Sequence, residues 1–338
     1  MSKPKDADRR VEGARDSGDR SELAAALVGL SNQRLQDADL AGAVGPLHEA
    51  ASLHGELGET EMQARLTCHI AMLSRGLGKL DIALIRAGEA LELVEHSGEV
   101  AQMAAVELAE AYAAKGQAER TAQAWAAAID IARAQAARPA EEARMHQKRA
   151  AALGVLGRFA EAAEECAAAA DLYRPDDDAA ARRATVEYVS ALYQAGDPAW
   201  SAARDALDTE AAKTDDELVR ADLRLLDMTA ALAADDAASA LDFADRARAH
   251  ALEAVAPVQY VTAFSGVAEA ANRLGDRQGA YNSLATGLIT LAELIGMDEA
   301  RSAVEPLVDG LRRQWGDEAF LAVKSAWEQQ RREALGLT

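Results

Sequence analysis

The sequence is poor in several residue types, and each shortage excludes something. Aromatic residues make up 4% of the 338 positions, and there are only seven prolines and two cysteines. So little proline leaves long stretches free to run as uninterrupted helix. The two cysteines, Cys68 and Cys166, lie far apart with no CxxC between them, so no disulfide framework is expected. No apolar run is long enough to span a membrane. The leading residues, MSKPKDADRRVEGARDSGDR, lack the apolar core of a secretory signal, so a cytoplasmic location is expected. Alternating runs of Val, Ile and Thr, the mark of strands, are missing. Basic residues are also scarce: 36 Lys and Arg face 56 Asp and Glu, a net charge of −20. That balance opposes a nucleic-acid partner, which calls for a basic stripe, and disfavours anionic membranes.

What is present is alanine. Half of the residues are apolar, and alanine supplies much of that content. Alanine has the highest intrinsic helix propensity and lets helices approach closely, so the expected class is all-α. Short turn signals recur: DADLAGA, LGKLDIA, KGQAERT, LGRFAEA, AGDPAWS, ADDAASA, LGDRQGA and WGDEAFL, spaced close to 40 residues apart. Glycine fills six of the turn positions (Gly78, Gly116, Gly157, Gly196, Gly275 and Gly316), and Ala38 and Asp235 stand at the other two. A glycine there suits a left-handed residue ending a helix. Five residues past each turn comes a small residue: Ala43, Ala83, Thr121, Ala162, Ser201, Ala240 and Ala280. Seven further on come Ala50, Ala90, Ala128, Ala169, Ala247 and Gly287, with the fifth unit out of register. An offset of seven returns to the same helix face, so each unit presents two small residues to a neighbouring helix. Pro46 falls inside one of these helices and is expected to kink it.

Helix, turn, helix and small residues at these offsets, in fragments such as ALGVLGRFAEAAEECAAAADLY and AEAYAAKGQAERTAQAWAAAIDIA, resemble tetratricopeptide repeats (TPRs) of the longer-helix kind found in bacterial regulators and scaffolds. The resemblance implies a right-handed superhelical solenoid of about eight TPR-like helix-turn-helix repeats. The expected organisation is a polar segment or short helix over 1–20, seven repeats over 21–295 and a capping hairpin over 296–338. Trp315 and Trp327 in that hairpin either close the solenoid or dock a partner helix.

No Gly-rich phosphate loop, HExxH or GxSxG occurs, so no enzyme, metal or cofactor is assigned. His48, His54, Cys68 and His69 lie close in sequence but do not share a face suited to one ion. Three glutamates beside Cys166 raise the question of chemistry; the repeat register instead makes Cys166 a core residue and puts Glu161 and Glu164 towards water.

In TPRs the concave surface is built from the first helix of each pair. The resemblance marks Asn32, then Arg65, His69 and Arg75, then Glu107 and Glu110, then Arg144 and Lys148, then Arg183, Glu187 and Tyr193, and finally Glu269, Asn272 and Arg273. The middle of that face is basic. Two readings stand open. Arg144, Lys148 and Arg183 bind an acidic or carboxylate-ended segment, or they pair with Glu107, Glu187 or Asp222 inside the solenoid. The carboxylate clamp of some TPR proteins does not fit, because Cys68, Met72 and Glu107 occupy its Lys and Asn positions.

The expected function is a non-enzymatic scaffold or adaptor that binds a protein or peptide on the concave face. The alternative is a TPR regulatory sensor that binds a peptide or small molecule and signals to a separate effector. Apolar surface at a solenoid end offers a route to a homodimer.

Overall fold

The computed structural model describes residues 6–334 and 336, so the outermost residues of the leading segment and of the capping hairpin fall outside it. Among the described residues the chain forms helices joined by short turns, in two compact units, Met1–Gly196 and Asp197–Thr338. The first unit holds α1 (Asp6–Ser17), α2 (Arg20–Gln36), α3 (Leu40–Glu56), α4 (Thr60–Gly76), α5 (Leu80–Leu93), α6 (Gly98–Ala114), α7 (Ala118–Ala134), α8 (Pro139–Val155), α9 (Phe159–Tyr173) and α10 (Asp178–Ala195). The second holds α11 (Ala199–Lys213), α12 (Glu217–Ala233), α13 (Ala237–Glu253), α14 (Pro257–Arg273), α15 (Arg277–Ile295), α16 (Met297–Trp315) and α17 (Asp317–Ala334). In each unit every helix packs on its neighbours in the chain. First helices of successive pairs also touch, α4 on α6 and α12 on α14. That is the packing of TPR-like hairpins, and the all-α class holds.

The turns follow the sequence pattern. All eight turn positions adopt positive φ, including Ala38 (59°) and Asp235 (58°), where a side chain must tolerate the left-handed region. Gly157, at φ 73°, shows the favourable case: it ends the helix before α9 without a Cβ to clash. Aspartates cap many of the following helices. Asp39, Asp216, Asp236 and Asp276 accept backbone N–H groups of α3, α12, α13 and α15. Asp177 does the same for α10 through Ala180, so the acidic stretch after Pro175 is a loop and a helix start.

The small-residue register is buried almost throughout. Ala43, Ala50, Ala90, Ala128, Ala169, Ala240, Ala247 and Ala280 are fully inaccessible, and Gly287 is buried. A Cβ on Gly287 would lie 2.7 Å from Cγ of Phe264, so this residue sets how closely the two helices approach. The fifth unit is the exception here as well. Ser201 is exposed, and α11 buries only Leu207 and Ala211. The boundary between the two compact units, at Gly196 and Asp197, falls beside this helix. A loss of register thus coincides with a loss of packing.

Pro46 is held by a contact from a second helix. It lies within α3, which runs unbroken from Leu40 to Glu56. Proline removes the N–H that would bond the Gly42 carbonyl one turn back. Arg34 of α2 supplies the missing donor, its Nη1 reaching that carbonyl at 2.7 Å. In the second unit, α16 packs on α14 and α15, and α17 on α15 and α16. Trp315 Nε1 donates to Asn272 Oδ1 at 2.7 Å, and Trp327 Nε1 donates to Asn282 Oδ1 at 2.9 Å. Tyr281 meets the rings of Phe320 and Trp327 edge-on, with centroids 5.6 and 5.9 Å away. Both tryptophans are therefore spent on packing within the unit.

Two consequences can be measured. Ala162 is buried on α9, 4% exposed, so a larger side chain there must displace packed neighbours. Ala162→Leu should cost about 1–3 kcal/mol by chemical denaturation. Arg34→Ala removes a charged donor from an otherwise orphaned carbonyl and should cost about 1–2 kcal/mol. It should also speed hydrogen exchange in the first turns of α3 and leave that of α17 unchanged.

Candidate functional site

The expected groove residues divide between the two units. Asn32 on α2, Arg65, His69 and Arg75 on α4, Glu107 and Glu110 on α6, Arg144 and Lys148 on α8, and Arg183, Glu187 and Tyr193 on α10 belong to the first. Glu269, Asn272 and Arg273 on α14 belong to the second. In the first unit, successive first helices are stitched together by polar contacts. Arg65 Nη2 lies 3.4 Å from Glu99 Oε2. Arg75 grips Glu107 with Nε and Nη2 at 3.0 and 3.2 Å, a forked pair that raises the Arg75 pKa. Lys148 Nζ lies 3.2 Å from Glu110. Gln147 Nε2 donates to Glu187 at 3.0 Å, while its Oε1 accepts from Tyr173 at 3.1 Å. Asn32 is exposed beside this row, and Tyr193 is half-buried at the far end of α10.

This pairing decides between the two sequence readings only in part. Glu107 is taken by Arg75 and Glu187 by Gln147, and in the second unit Asp222 accepts from Gln259 at 3.1 Å. Lys148 is engaged by Glu110, a partner the sequence reading did not name. Arg144 and Arg183 are both exposed. Arg144 Nε bonds the Ala140 carbonyl of its own helix, and neither arginine has a carboxylate in ion-pair reach among the described residues.

Burial sets the protonation of several groups. It lowers the His69 pKa, aided by the Arg65 charge and opposed by Glu107, which favours a neutral imidazole. Burial of its carboxyl raises Glu187 although the residue as a whole is exposed, and the Gln147 bond opposes the rise. Tyr173 is raised, chiefly by burial, while the Arg144 and Arg183 charges pull it down and Glu187 and Asp177 push it up. Beside this row, a cavity of about 290 Å³ opens between α4 and α6, walled by Met72, Met103 and Val106 and rimmed by His69, Gln102 and Glu107.

Both thiols lie in the core. Cys68 and Cys166 are 1% and 3% exposed, and burial pushes each pKa up to about 12. Such thiols are poor nucleophiles and poor ligands. Glu164 is exposed and Glu161 is paired with Arg158. Glu165, their neighbour, belongs to a network that sequence reasoning missed. His146 Nδ1 donates to Glu165 Oε2 at 2.6 Å, Arg149 Nη1 reaches Glu165 Oε1 at 2.6 Å, and Arg133 holds Glu142 at 2.8 Å. His146 Nε2 is buried without a hydrogen-bond partner. The available signal was spacing. His146 and Glu165 stand about half a repeat apart, the offset that faces one helix of a hairpin to the other.

The histidines near the N-terminal end act separately: His48 Nε2 meets Arg86 at 3.0 Å and His54 meets Glu59 at 2.5 Å. In the second unit, Glu217, His250 and Glu253 bring ligand atoms within 4.8 Å of one another. Glu217 there is already held by His250 at 2.5 Å and by Arg220 at 2.9 Å, and that guanidinium opposes a further cation. Also in this unit, Asn272 bonds Gln314 and Trp315, and Arg273 bonds Glu269 and the Leu232 carbonyl, so these predicted groove residues are committed within their own unit.

No family model and no curated protein matches the chain in sequence. Solved structures do match in shape. The apo form of the quorum sensor NprR from B. thuringiensis superposes with a TM-score of 0.53 at 11% identity, over 91% of this chain and 85% of that one. A tetratricopeptide repeat protein from Parabacteroides merdae gives 0.51 at 12% identity, over 81% of this chain and 98% of that one. The apo form of RapI gives 0.50 at 12% identity, over 84% and 99%. Together with the hairpin packing and the turn geometry, these likenesses establish that the chain has the TPR-like helical-repeat fold.

Proposed function

We propose that the protein is a non-enzymatic scaffold or adaptor that takes a protein or peptide segment on the α4–α6–α8–α10 face of its first unit. The observation that carries this reading is the open cavity between α4 and α6. Its methionine and valine walls lie beside a row of polar side chains from the first helices of four successive pairs. Apolar anchoring next to fixed polar groups is how helical repeats recognise extended or helical partners. A reaction is not part of the reading, since the two thiols are buried and their pKa values are pushed out of the nucleophilic range. The acidic coat, at −20, supports a partner other than nucleic acid. No helix among the described residues is long and apolar enough to cross a membrane, which accords with a cytoplasmic scaffold. Self-association at a solenoid end is the remaining partner reading. A second functional reading, a regulatory sensor acting through a separate effector, is favoured by the fold likeness to NprR.

Val106→Arg tests the scaffold by filling the cavity from its wall. Affinity capture from the native organism with the wild-type chain should recover at least one protein that this variant loses by about tenfold or more. An exposed control, Leu321→Arg on α17, should leave recovery unchanged. Equal recovery by wild type and Val106→Arg, with unaltered thermal unfolding, excludes this face as the binding surface.

A further inference from the structure

The cavity between α4 and α6 is one-sided in charge. Glu99 and Glu107 of α6 and Glu141 of α8 line it, and no lysine or arginine does. The imidazole on its rim, His69, is held towards the neutral form by burial. The cations that balance these carboxylates stand outside the lining, and they hold them unequally. Arg75 grips Glu107 through two nitrogens at 3.0 and 3.2 Å. Glu99 and Glu141 are held loosely. Arg65 divides one nitrogen between Glu99 at 3.4 Å and Glu61 at 3.5 Å. Arg138, with its side chain 86% exposed, comes no nearer to Glu141 than 3.9 Å. Open pairs of this length contribute little and exchange readily. Gln102, on the same rim, has no hydrogen-bond partner among the described residues. The wall between these polar groups is apolar. Met72 is 43% exposed, and Met103 and Val106 are half-buried. A methionine side chain is unbranched and polarisable, so this wall can reshape around the apolar group that enters.

We propose that the segment bound by the first unit is basic: it seats an apolar side chain among Met72, Met103 and Val106 and lays a flanking Lys or Arg against Glu99 and Glu141. The inference rests on the scaffold reading above and specifies the partner's chemistry at that cavity. The sign of the flank follows from what the lining offers. An anionic flank meets three carboxylates and no cation. A neutral flank covers Glu99 and Glu141 without pairing them, and a carboxylate stripped of water and left unpaired is costly. A cationic flank replaces the long reach of Arg65 and Arg138 with direct contacts. The apolar anchor beside it excludes water, and the attraction strengthens as the local dielectric falls. Arg144 and Lys148, the exposed cations of α8, are not part of the lining and do not oppose this seat. The net charge of −20 acts in the same direction at longer range, drawing a basic segment towards the chain. That field is diffuse; the cavity supplies the position.

A random dodecapeptide library displayed on phage, selected on the full chain, supplies the probe. Enriched peptides should combine a large apolar residue with Lys or Arg a few positions away. Val106→Arg fills the cavity and adds a cation, so it should weaken these peptides about tenfold or more. Glu99→Gln/Glu141→Gln keeps the size of both side chains and should weaken them about tenfold. It should also flatten the fall in affinity between about 50 and about 300 mM salt. Glu92→Gln/Glu318→Gln removes the same charge from exposed positions outside this cavity and should leave affinity within about twofold. Circular dichroism verifies that the helices persist in each variant. If no Val106-dependent peptide is enriched, the scaffold reading itself fails. If Val106-dependent peptides are enriched but are acidic or neutral, or bind Glu99→Gln/Glu141→Gln as tightly as wild type, the basic class is wrong while the scaffold stands. Equal weakening by the two double substitutions assigns the effect to overall charge and overturns the seat at Glu99 and Glu141.

Discussion

Close helix approach is the constraint on which the rest of this structure depends. Small residues recur at buried positions in most pairs, and at Gly287 even a Cβ would clash with Phe264 of the neighbouring helix. Each contact is small, and a solenoid sums such contacts between neighbours instead of building one central core. The scarcity of aromatics follows from the same demand: most of the interior has no space for a ring. Trp125 and Tyr173 are buried in the first unit, and a larger group, Tyr260, Phe264, Tyr281, Trp315, Phe320 and Trp327, packs among α14–α17.

The same spacing governs the polar surface. When helices stack at a fixed distance, a side chain on one first helix meets the residue about one repeat later on the next. Polar pairs accordingly recur near that offset: Arg65 with Glu99, Lys148 with Glu110, Gln147 with Glu187 and Gln259 with Asp222. Surface ion pairs of this kind contribute little stability each, because water screens them. Their structural effect is to fix side chains in place.

Much of the fold was legible in the sequence because its causes are local. A left-handed residue at a helix end and a small residue at a fixed offset each leave a mark at one position, and the repeat amplifies it. Cys166 illustrates this: its place in the register identified it as core despite its glutamate neighbours, and it is buried. The donor that replaces the missing Pro46 N–H was not legible, because Arg34 belongs to another helix whose reach sequence does not display. The pairing of the groove charges was hidden for a similar reason. Which carboxylate an arginine takes depends on competition across helices, so Arg75 and not Arg144 holds Glu107. Glu142, His146 and Glu165 escaped notice because a buried ionic network looks, in sequence, like ordinary polar helix face.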